Sequence, residues 1–104
     1  MEVNETRFRL ILDRRFAAIS DTLVTKAREY ATDADRLHNF HAAAALLRCT
    51  PEQACWAFLA KHLVSIGDMV ASGHVQPREK WDEKLGDAIN YLLLLEAITW
   101  EGEE

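Results

Sequence analysis

The stretch Trp81 to Tyr91, W-D-E-K-L-G-D-A-I-N-Y, lies in the longest helical pattern of the C-terminal half and decides how the chain is read. On a helix, residues three and four apart share a face. Glu83, Asp87 and Asn90 are spaced by four and then three, which makes one polar stripe. Trp81, Leu85, Ala88, Leu92, Leu95 and Ile98 make a second, apolar stripe. A helix with one oily face needs only solvated charges opposite it, and that is one reading of the polar stripe. The other is that two carboxylates and an amide, one turn apart, hold a divalent cation or hydrogen-bond a partner helix.

Working outward, the pattern remains helical. There is no alternation of the kind a half-buried strand shows and no Asn-Gly or Asp-Gly hairpin signal. A first helix is expected over residues 4–30, where Phe8, Leu12, Phe16, Ile19, Leu23, Ala27 and Tyr30 recur at three and four. Asn4 is its N-cap, and Ser20-Asp21-Thr22 is a place for it to bend or divide, because short polar side chains compete for backbone hydrogen bonds. Residues 31–34 read as a turn. A second helix is expected over 35–48, with Asp35 as its cap and Leu37, Phe40, Ala44 and Leu47 as its apolar face.

Thr50-Pro51-Glu52-Gln53 is the sharpest local signal: an N-cap, a proline at the first helical position and a capping-box glutamine. It opens a third helix over 51–72, apolar around much of its circumference, which predicts a central position or a subunit interface. Gly73 is the expected C-cap. The fourth helix spans 78–100, with Gly86 inside it, where a glycine permits close approach. Four helices with short connections predict an all-α, antiparallel four-helix bundle in a single domain of 104 residues. The surplus of apolar residues on the last two helices predicts a homodimer.

Composition sets limits. Apolar residues make up 49% of the chain, so it folds. The net charge of −5 argues against general nucleic-acid binding, which needs clustered Lys and Arg, but leaves room for a small phosphorylated ligand. Cys49 and Cys55 form neither a C-x-x-C pair nor a zinc spacing, and free thiols fit a cytoplasmic protein. No signal peptide is visible, and the oily run 88–100 is too short for a membrane span. His38 and His41 share a face but lack a third metal ligand.

Three polar groups could carry chemistry: Asp35, Arg36, His38 and Asn39; Lys61 and His62 with Ser65 and Asp68; and Glu83, Lys84, Asp87 and Asn90. Glu83 to Leu92, E-K-L-G-D-A-I-N-Y-L, resembles the second metal-binding helix of the MazG-like, all-α nucleoside triphosphate pyrophosphatases, in which acidic residues precede Leu-Gly-Asp and an apolar run. Together with K-A-R-E-Y-A at 26–31, D-R-L-H-N-F at 35–40 and Lys61-His62 with Ser65, it is similar to short phage-encoded proteins of that kind. The resemblance implies Mg²⁺ held by Asp87 and Glu83 over the phosphates of a nucleotide, and hydrolysis of a (d)NTP to monophosphate and pyrophosphate. The residues themselves add, beside that resemblance, His62 as a third catalytic group that orients a water or a phosphate oxygen, and substrate contacts from Arg36, Asn39, Lys61, Lys84, Asn90 and Tyr91. Two departures stand out. Lys84 occupies the acid position of the expected E-x-x-D pair, and Lys61-His62-Leu63-Val64-Ser65 stands where an E-x-x-E pair belongs. These keep open a non-enzymatic alternative, an interaction module such as a phage accessory protein acting on a host partner.

Overall fold

A computed structural model describes residues 1–27 and 36–103. Among the described residues the chain is all-helical, with four α-helices and no strand. It divides into two units, 1–34 and 35–104.

In the first unit, α1 runs Glu5–Ser20. Asn4 caps it as expected, its side-chain oxygen accepting from the Arg7 N–H at 2.9 Å. The helix continues as a π-helical segment, Asp21–Lys26, starting at the Ser20-Asp21-Thr22 cluster. No side chain of α1 or of this segment is buried. Tyr30, Asp35 and the expected turn at 31–34 lie outside the described residues.

The second unit holds α2 (His38–Leu47), α3 (Pro51–Ser72) and α4 (Arg78–Trp100). The α3 and α4 boundaries match the sequence reading. The α2 helix begins at His38, because Arg36 and Leu37 form a turn. The capping box is complete: the Gln53 N–H donates to Thr50 Oγ1 at 3.1 Å, and the Thr50 N–H donates to Gln53 Oε1 at 2.9 Å. Gly73 ends α3 at φ 68°, a conformation that costs an L side chain about 1–2 kcal/mol. Arg48 ends α2 in the same left-handed region, at φ 55°, without the freedom of a glycine.

The α3 helix is central, packing against both α2 and α4. Helices α3 and α4 run antiparallel: Cys55 lies beside Tyr91, and His62, two turns further along α3, lies beside Asp87. Leu37, Phe40, Cys55 and Ile98 form the buried cluster, with Tyr91, Leu94, Leu95 and Ala97 packed on it. Leu59 and Cys55 are the largest fully enclosed side chains among the described residues. Several apolar positions are instead exposed, among them Leu47 and Leu92 of the expected apolar faces and Trp56, Leu63 and Val70 of α3. Periodicity marks an apolar face but does not say how much of that face a partner covers.

Candidate functional site

The best-defined polar cluster lies where the middle of α3 meets the middle of α4. His62 comes from α3, on the same face as Phe58 one turn earlier. Asp87, Asn90 and Tyr91 come from α4, at spacings of three and four. His62 Nδ1 stands 3.8 Å from Asp87 Oδ2, and the histidine side chain is 14% exposed against 41% for the aspartate. At that distance the contact is electrostatic rather than a hydrogen bond.

One face of the imidazole is occupied. Its ring stacks on Tyr91 with centroids 5.1 Å apart and planes 27° apart. Tyr91 in turn meets Phe40 edge-on at 6.4 Å and Phe58 at 6.4 Å, and Phe40 meets Phe58 at 6.0 Å. This chain of rings runs from the buried Phe40 to the partly open His62. Beneath it the Cys55 thiol donates to the Tyr91 carbonyl at 3.6 Å. Burial pushes that thiol above its ordinary value of 9.0, so it stays protonated and makes a poor nucleophile.

Asn90 adds a second unusual feature. Its side-chain Oδ1 is buried and accepts no hydrogen bond. An unpaired buried acceptor costs roughly 1–3 kcal/mol, and such groups gather where a structure has a use for them.

His62, Asp87 and Tyr91 of the expected site are therefore brought together, and Asn90 follows Asp87 by three residues on α4. Glu83 is exposed, one turn before Asp87 on the same face of α4. Lys84 is half-buried, three residues before Asp87. Lys61, Arg36 and Asn39 are exposed. Among the described residues, no hydrogen bond or ion pair ties Lys61, Lys84 or Asn39 to the His62–Asp87 pair.

The donor set limits what metal could be held. Among the described residues no three His, Cys, Asp or Glu side chains converge. Glu83 and Asp87 fit one Mg²⁺, an ion that takes one or two carboxylates and fills its octahedron with water and phosphate oxygens. A second ion between the helices would need acids on α3, where His62 and Lys61 stand instead. A side-chain contact that joins α2 to the end of α4, His41 Nε2 to the Glu101 carboxylate oxygens at 2.9 and 3.0 Å, was not anticipated. It links positions 60 apart in sequence, and neither residue carries a local motif.

No family model, curated protein or solved structure matches this chain.

Proposed function

We propose that the protein binds a nucleotide, or a similar phosphorylated small molecule, on the α3–α4 face around His62 and Asp87. The observation that carries this reading is the meeting of a histidine and a carboxylate from two helices beside an unpaired buried amide oxygen. The MazG-like four-helix arrangement suggested by the Leu85-Gly86-Asp87 segment belongs to the same reading.

In it, Asp87 and Glu83 hold one Mg²⁺, which neutralises phosphate charge when bound. Lys61, Lys84 and Arg36 contact phosphate. Asn39, Asn90 and Tyr91 contact the rest of the ligand. His62, steadied by the Tyr91 ring and the Asp87 charge, accepts a proton from water. Hydrolysis adds that water across the anhydride between the α- and β-phosphates and releases monophosphate and pyrophosphate.

A thermal-shift panel of nucleoside tri-, di- and monophosphates, with and without Mg²⁺, tests it. A ligand at 100 times its Kd stabilises a fold by about 2.7 kcal/mol. The expected result is a Mg²⁺-dependent shift that disappears in Asp87→Ala and shrinks in His62→Ala. No shift with any nucleotide rules the reading out.

The alternative of a non-enzymatic interaction module draws on a different observation, the unburied apolar stripe of α1. A stable protein partner recovered from the host, with no nucleotide effect on melting, would favour it.

A further inference from the structure

We propose that Lys84 anchors an inorganic-anion site on the seam between α3 and α4, one that takes pyrophosphate without a metal ion. The site shares the face of the ligand reading but needs neither a nucleoside nor Mg²⁺, so either can fail alone.

Two matched seams join α3 to α4. On α4, Lys84, Ala88, Tyr91, Leu95 and Ile98 recur at intervals of four and three. Ala88 and Ile98 are buried, and Tyr91 and Leu95 pack on the buried cluster. On α3, Cys55, Leu59, His62, Ile66 and Met69 recur at the same intervals, with Cys55, Leu59 and Met69 buried. Such spacing is how paired helices interdigitate. His62 and Lys84 are the two positions on these seams that can carry positive charge.

The antiparallel register sets Cys55 beside Tyr91 and His62 beside Asp87. Continued by one turn, it brings Lys84 level with residues 65–69 of α3, where the seam positions Ile66 and Met69 are apolar. Asp68, the one acid in that stretch, is exposed and off the seam. Asp87, three residues after Lys84, makes its close contact with His62 instead. Lys84 is half-buried and has no hydrogen bond or ion pair among the described residues.

A lysine can lay its stem on apolar surface and keep its ammonium wet. At a seam position that an apolar side chain would fill, that charge still costs stability unless an anion meets it. Further donors stand nearby. His62 turns Nδ1 to Asp87, and its Nε2 has no partner among the described residues. Ser65, half-buried and three residues after His62 on α3, adds a hydroxyl. Lys84 and His62 stand about one turn apart, ~5 Å along the helix axis. That span suits an anion with two phosphoryl groups better than a single phosphate.

The test is thermal unfolding of the full chain in EDTA, titrated with sodium pyrophosphate at constant ionic strength. The wild-type Tm should rise and saturate, and orthophosphate should need a higher concentration for the same rise. Lys84→Met, which completes the apolar seam, should melt higher than the wild type in anion-free buffer and should show no pyrophosphate shift. Loss of a merely structural lysine would lower the Tm and leave the anion response unchanged. The proposal is overturned if Lys84→Met melts lower or fails to fold, if its pyrophosphate shift persists, or if the wild type shows no saturable shift. A Mg²⁺-dependent nucleotide shift alongside any of these results would leave the ligand reading standing and this one refuted.

Discussion

Asn4 and Thr50 cap their helices with the same bond, a side-chain oxygen accepting from the backbone N–H three residues on. The helices they start differ in what they bury. The α1 helix encloses none of its side chains, whereas α3 encloses Ala54, Cys55, Leu59 and Met69. Most helical stability in proteins comes from packing an amphipathic face rather than from propensity. Two equally well-signalled helix starts can therefore contribute very differently to the stability of the folded chain. What separates them is the neighbour: α3 has apolar residues on several sides and two helices to meet them, while α1 has one stripe.

Mutations can sharpen or break that contrast. Leu59→Ala, at a fully enclosed position of α3, should destabilise the protein by about 2–5 kcal/mol in a denaturant melt. A loss no larger than that of an exposed substitution would mean that α3 is not the centre of the core. Thr50→Ala should cost about 0.5–2 kcal/mol in the same melt. The matching change Asn4→Ala should leave that main transition where it is and show only as faster amide exchange at the start of α1. Equal shifts for the two caps would mean that α1 unfolds together with the core.

Arg48→Gly should stabilise by about 0.5–1 kcal/mol, since glycine takes the left-handed conformation at the end of α2 without the side-chain clash. A destabilised variant would show that the arginine side chain makes contacts worth more than the strain. The smallest effect concerns Cys55. Its folded pKa lies above 9.0, so between that value and the folded one the unfolded chain has released a proton that the folded chain retains. Stability is then unaffected below about pH 9 and falls as the pH rises through the folded value. The fall should flatten in Cys55→Ala, and Cys49, which is less buried, should be alkylated first.

Sequence reasoning reached the helices better than their surroundings. The Thr50-Pro51-Glu52-Gln53 box and the Gly73 stop locate α3 because capping is local chemistry, written in adjacent residues. Arg48 escaped notice for the converse reason, since nothing about an arginine announces a left-handed C-cap. Leu47, Trp56 and Leu92 fit an apolar periodicity as well as Phe40, Leu59 and Ile98 do, and only tertiary packing separates the exposed set from the buried one. In the candidate site, Asp87 and Asn90 were readable from their spacing on one helix. Their meeting with His62, and the stack of His62 on Tyr91, needed the antiparallel register of α3 and α4, which no spacing within one helix supplies.

The proposal that ligand binding belongs to the α3–α4 face is tested most directly by a two-dimensional ¹H–¹⁵N titration of the full chain with a Mg²⁺–nucleoside triphosphate. The expected result is saturable shifts of the backbone amides around His62, Asp87, Asn90 and Tyr91, with Phe8 to Phe16 of α1 unmoved and the response absent in Asp87→Ala. Shifts confined to α1, or an unchanged spectrum at saturating nucleotide, would contradict it.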